Sequence, residues 1–184
     1  MKLKLAIAGF AVIAAACGSA VANIAPTTTT MEEMDPGSDM GDMNMGDADA
    51  TPAAEAGGDL VTGSFRVLES APDGFAAMNG TADLARHESG TTVTIDFDKL
   101  VPDTEYVAHV HAGSCFDDGG PHYQFEVGGS ELPPNEMHLA FTSHADGTGF
   151  MTAENDEVAG PEATSVVIHE STADAPKIAC ADLS

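Results

Sequence analysis

Seven histidines are spread along a chain of 184 residues: His87, His109, His111, His122, His138, His144 and His169. His109 and His111 are two residues apart in Glu105-Tyr106-Val107-Ala108-His109-Val110-His111, a run that reads as a β-strand. Both imidazoles therefore leave the same face, where they can grip one metal ion. His122 lies in a Gly119-Gly120-Pro121-His122 loop, and His169 ends the apolar run Ser165-Val166-Val167-Ile168. A set of imidazoles suits copper, zinc, iron or nickel, and copper at a tetragonal nitrogen site is the natural reading. His-x-His alone has an ordinary alternative, a solvated pair on a strand. Its company here makes it specific: a Gly-Pro-His loop, a cysteine pair and signs of export.

These side chains need strands to hold them. Short runs with turn clusters between them recur over residues 60–184. The expected strands are 60–68, 75–87, 91–97, 105–111, 137–142, 149–153, 165–169 and 177–183. Val93, Ile95 and Phe97 alternate cleanly onto one face. No stretch carries a convincing helical period, so the pattern predicts an all-β antiparallel sandwich or barrel. Residues 116–136, rich in Gly and Pro, are expected to form a long loop of the kind that is usually functional or disordered.

Residues 1–22 begin Met1-Lys2-Leu3-Lys4, continue through an apolar run over 5–16 and end in small residues. That is the pattern of a secretory signal. The apolar run is too short to span a bilayer. Ala14-Ala15-Ala16-Cys17-Gly18 is similar to a bacterial lipobox, in which Cys17 is lipidated and becomes the mature N-terminus. Ala20-Val21-Ala22 offers ordinary cleavage instead, and either route exports the chain. With Cys17 lipidated or removed, Cys115 and Cys180 remain. Two cysteines in an oxidising compartment most simply form one disulfide.

Residues 23–59 carry nine acidic residues and no Lys or Arg. They hold almost no large aliphatic side chains, so a disordered acidic linker is expected. Met31, Met34, Met40, Met43 and Met45 are five of the nine methionines in the chain. Sulfur in so polar a segment is not core packing. Thioethers suit Cu(I), although a low-complexity linker drifting in composition is the plain alternative. Over the whole chain 30 acidic residues face 6 basic ones, a formal charge of −24, and signal cleavage takes it to about −26. No basic stripe exists to meet nucleic acid, and anionic headgroups are disfavoured, so contact with a membrane is expected only through the lipid.

From Ala108 onward the chain resembles the copper/zinc superoxide dismutases. Ala108-His109-Val110-His111 is similar to the strand that supplies two copper ligands in that family, and Gly120-Pro121-His122 to the segment bearing the shared imidazolate. Val166-Val167-Ile168-His169-Glu170 looks like the strand with the last copper ligand. Lys177-Ile178-Ala179-Cys180 resembles the closing strand, whose cysteine pairs with the loop cysteine, here Cys115. Asp146-Gly147-Thr148-Gly149 fits the hairpin between them. The resemblance covers about residues 60–184. It implies an eight-stranded Greek-key sandwich or flattened barrel, with copper held by His109, His111, His122 and His169.

The departures from the family carry information too. No histidine lies between His122 and His138, and Phe141 stands where the family's zinc-binding aspartate is expected. His138 aligns with a vestigial zinc position, so zinc is not expected. These changes resemble the copper-only branch. Without zinc, the second nitrogen of His122 is expected to lack a fixed partner. Lys177 replaces the family's guiding arginine, keeping the charge but not the fork. The resemblance implies an envelope dismutase acting on superoxide, with His122 cycling a proton and Lys177 attracting the anion. The alternative is a non-enzymatic protein that binds or buffers copper ions in the envelope.

Overall fold

The computed structural model describes residues 44–172 and 175–184. The signal segment with Cys17, and Met31, Met34, Met40 and Met43, lie outside the described residues. Nine strands occur among the described residues: β1 Asp59–Ser64, β2 Arg66–Val67, β3 Asn79–His87, β4 Gly90–Asp98, β5 Glu105–His111, β6 His138–Thr142, β7 Gly149–Asn155, β8 Ser165–Glu170 and β9 Lys177–Asp182. One short helix, α1, spans Ala53–Ala56, and a single 3-10 turn spans Cys115–Asp117. The strands form two antiparallel sheets, ordered β1-β3-β4-β7 and β2-β9-β8-β5-β6. This is the all-β class that the alternating pattern predicts. No helix among the described residues is long and apolar enough to cross a membrane.

The count of strands differs from the eight expected because the first one divides. β1 pairs with β3 from Asp59↔Arg86 to Ser64↔Thr81, and β2 then pairs with β9 in the other sheet. Phe65, between them, is buried with its ring 4.5 Å from that of Phe97. Burying that ring commits the chain to change sheets at this point. Val93, Ile95 and Phe97 face the core as expected, and Leu84, Ala108, Val110, Leu139, Val166 and Ile168 close on them from both sheets.

The expectation of a disordered linker through Asp59 is overturned for residues 44–59. The Ala140 amide donates to the Met45 carbonyl at 2.8 Å, and the Asp47 amide donates to Thr152 O at 2.7 Å. The Asn44 side-chain amide donates to Glu154 O at 2.7 Å. α1 then lies over β4, where the Ala53 amide donates to Thr94 Oγ1 at 2.9 Å. The segment has few large apolar side chains, but it has main-chain groups. It uses them on the open edges of β6 and β7, which would otherwise present unpaired donors and acceptors. The folded unit therefore begins by Asn44 rather than Leu60.

Cys115 and Cys180 form the disulfide, with Cα atoms 5.5 Å apart. It ties the loop after β5 to β9. A separation of 65 residues is long enough that the crosslink removes much unfolded-chain freedom. Replacing both cysteines with serine is expected to lower unfolding stability by about 4 kcal/mol. Denaturant titration of the metal-free protein checks this, and an unchanged midpoint would count against it.

Candidate metal centre

Alternation on β5 sends Tyr106, Ala108 and Val110 into the core and Val107, His109 and His111 to the outer face of the five-stranded sheet. Directly paired residues share a face. His109 is opposite His138 on β6, Val107 is opposite His169 on β8, and His169 is opposite Lys177 on β9. Register thus gathers four histidines and the lysine on one surface. His122 joins them from the loop, because its return leg runs back along β5. The Ala112 amide donates to Pro121 O at 2.9 Å, and the Tyr123 amide donates to Val110 O at 2.8 Å. Gly119 lets the loop sit this close. Its φ is +79°, and a Cβ there would lie 3.1 Å from His111 Nδ1.

His109 is the hub of the cluster. Its ring centroid lies 4.2 Å from that of His122, 4.3 Å from His138, 5.0 Å from His169 and 6.4 Å from His111. Three of the other imidazoles are pinned through Nδ1. His111 donates from Nδ1 to Gly120 O at 3.1 Å. His122 donates from Nδ1 to Glu136 Oε2 at 2.6 Å, and His169 from Nδ1 to Glu170 O at 3.0 Å. His169 Nε2 and His109 Nδ1 face each other at 3.2 Å. Fixing one ring nitrogen so that the other presents its lone pair is how proteins orient metal-binding histidines.

The sharpest sign of fit is His111 Nε2, the one buried side-chain nitrogen or oxygen among the described residues with no hydrogen-bond partner. Such an orphan costs about 1–3 kcal/mol, a cost that a bound metal ion removes. His109, His122 and His138 also offer ligand atoms all within 4.8 Å of one another. The residues present fit a metal ion held by imidazoles. Of the four expected ligands only His109 and His122 belong to that group; His138, expected as a vestigial zinc position, completes it, while His111 and His169 stand beside it on the same surface.

Electrostatics favour the form that binds metal. Burial is the largest influence on His109, His111, His138 and His169, and it lowers the pKa of each. Neighbouring imidazoles add to the effect at His109, and His111 is brought down to about 4, with His122 adding to burial there. The rings therefore stay neutral, as ligation requires. Burial pushes the Glu136 carboxyl up, but hydrogen bonds from Gln124, His138 and His122 outweigh it and hold it below its usual value. Glu136 is thus a buried anion among imidazoles.

His111 should make the metal-free protein sensitive to acid. Its folded pKa lies below its unfolded value, so between about pH 6.5 and 4 the unfolded chain binds more protons. Stability of the metal-free protein should be intact above that window and fall as pH drops through it. Denaturation midpoints measured from pH 7 to pH 4 check the sign; a flat profile would contradict it.

Glu136 is the residue that sequence reasoning missed. Its Oε2 accepts from His122 Nδ1 at 2.6 Å and from His138 Nε2 at 3.1 Å, while Gln124 Nε2 donates to Oε1 at 2.9 Å. The second nitrogen of His122 therefore has a fixed partner, contrary to expectation. The signal was faint: an acid two residues before His138. Phe141 is also placed differently from the expectation. It faces the core, stacked with centroids 5.9 Å from Phe97 and 5.7 Å from Tyr106, so it occupies no ligand position. Lys177 donates from Nζ to Asp118 O at 2.7 Å and Gly120 O at 3.2 Å, bracing the loop that holds His111.

His87 and His144 stay out of the cluster. His87 bonds Ser89 and Thr92, and the His144 amide and carbonyl close a turn with Thr148 and Gly147. No protein-family model matches the chain, and no curated protein does.

Proposed function

We propose that the chain is an exported copper-dependent superoxide dismutase with a dismutase-like Greek-key fold. One observation carries the reading: imidazoles pinned through Nδ1, with buried His111 Nε2 left without a partner. Copper, held by His109, His111, His122 and His169, would supply the one-electron change between Cu(II) and Cu(I) that turns two superoxide ions and two protons into O₂ and H₂O₂.

The chain's own groups set up that chemistry. His122 is anchored through Nδ1 on Glu136, which leaves Nε2 as its one nitrogen for the metal; when it does not ligate, the same Nε2 would hold the proton passed to the superoxide being reduced. Glu136 gives His122 a negative partner, doing for its orientation what a second metal would otherwise do. Lys177 works as a positioning residue. It holds the Gly120 carbonyl that fixes His111, and its charge stands near enough to lower the His111 pKa. The disulfide fits the oxidising compartment that the signal segment implies, with Cys17 as the proposed lipid anchor in the cell envelope.

A second reading, a non-enzymatic copper-binding protein, is favoured by the mouth of the centre. A cavity of about 490 Å³ there is lined by Pro121, His122, Gln124, Glu131 and Glu136. Two carboxylates and a chain charge of −24 draw in a cation and repel an anion. The two readings differ in what they require of superoxide. A dismutase with this field should consume superoxide about two to ten times faster as ionic strength rises from 0.01 M to 0.15 M, because screening weakens like-charge repulsion. Superoxide decay measured across that range with copper-loaded protein tests the proposal. Absence of catalysed decay at every salt concentration would leave only the copper-binding reading.

A further inference from the structure

The group formed by His109, His122 and His138 does not coincide with the copper set of His109, His111, His122 and His169. We propose that this group is a separate zinc position, which shares two ligands with copper and therefore excludes it. Zinc there holds the centre in a form that cannot change oxidation state.

How His138 is held is the first ground. Register sets it opposite His109 on the neighbouring strand, with the ring centroids 4.3 Å apart. Its Nε2 lies 3.1 Å from Glu136 Oε2, and His122 Nδ1 lies 2.6 Å from the same oxygen. An ionised carboxylate can only accept, so both imidazoles donate to it. One oxygen thus fixes two tautomers and leaves the lone pairs of His138 Nδ1 and His122 Nε2 free. His138 is buried and prepared as a ligand in the same way as His122. With His109 the two offer ligand atoms all within 4.8 Å of one another.

The donor set is the second ground. Three imidazoles with a fourth position left open suit zinc, whose filled d shell imposes no geometry of its own. Cu(II) asks for a tetragonal set of nitrogens, which the four-histidine grouping supplies. Glu136 stands behind two of the three zinc ligands, whereas His111 and His169 lean on carbonyl oxygens. Its charge raises the basicity of the two rings it holds and favours a divalent ion.

The exclusion follows from His122. One of its nitrogens is committed to Glu136, so it has a single nitrogen to give. It serves zinc or copper, never both at once. Zinc on that nitrogen also occupies the atom that the proposed proton step uses. The exclusion rests on the reading of the cluster as a copper centre; zinc binding does not.

The test titrates the metal-free full chain with Zn(II) and with Cu(II) against a chromophoric chelator, using Co(II) as a spectroscopic stand-in for zinc. The unaltered chain should bind either ion, and Cu(II), the stronger binder, should release Zn(II) one for one. Co(II) should give the intense visible bands of a four-coordinate site. His138→Ala should weaken Zn(II) binding by about a hundredfold or more, and Cu(II) binding by no more than about threefold. His111→Ala should do the reverse. Zinc and copper held together on one chain would overturn the proposal, as would an unchanged Zn(II) affinity in His138→Ala. So would a parallel fall of both affinities in His138→Ala and in His138→Gln, which keeps a donor for Glu136. Zinc held through His138 by a chain that binds no Cu(II) would sink the copper-centre reading and leave the zinc position standing.

Discussion

His109→Ala should lower copper affinity by more than about a hundredfold and remove superoxide turnover. The magnitude follows from comparison. Losing a residue that merely orients a metal ligand costs about 10–100-fold, so losing a ligand at the hub of the cluster must exceed that range. His109 is that hub: the rings of His122, His138 and His169 all lie within 5.0 Å of its centroid, and its Nδ1 faces His169 Nε2 at 3.2 Å. The fold should survive, because His109 points away from the core formed by Ala108 and Val110. Removing a group whose charged form is heavily disfavoured by burial should also make the metal-free protein less acid-sensitive. Copper competition titration and denaturation between pH 7 and pH 4 read the two effects on the same variant. Retained affinity would place the metal elsewhere.

Glu136→Gln should reduce turnover by about 10–100-fold while leaving copper bound. Glutamine keeps the shape and can still accept one hydrogen bond, but it removes the negative charge between His122 and His138. The His122 ring would then lose the anionic partner that holds it at 2.6 Å. The change should appear in the Cu(II) spectrum as altered nitrogen coupling and in the pH profile of turnover as a shift in the proton step. A purely structural role would move neither, and Glu136→Asp should recover part of the activity if the charge is what matters. Unchanged turnover in Glu136→Gln would leave the buried carboxylate without a function.

Much of the centre was legible because its residues obey a simple period. The two-residue spacing of His109 and His111 states their common face, and Val93, Ile95 and Phe97 state the core face of β4 in the same way. His122 and His169 were located by their neighbours in the chain. What escaped were contacts decided by chain return. The bond from His122 to Glu136 depends on how a loop closes over 14 residues, which no local pattern records. Lys177 read as the charge that attracts the anion, and its hold on two carbonyl oxygens was not visible in the sequence. The division of the first strand at Phe65 is announced only by Gly63 two residues earlier, and a lone strand glycine is a faint signal. The ordering of residues 44–59 comes from main-chain hydrogen bonds to sheet edges, and hydropathy is blind to those.

The acidity bears on the central claim from both sides. On the proposed function it would draw copper toward the cluster and hold superoxide off, so that catalysis would have to work against the field. The most direct measurement is pulse radiolysis of the full chain loaded with one copper, alongside His122→Ala. Superoxide decay should be first order in bound copper, yield one O₂ and one H₂O₂ for every two superoxide ions, and slow about 100-fold or more in the variant. Copper held at the histidines with decay no faster than that of the metal-free chain, at any salt concentration, would contradict it.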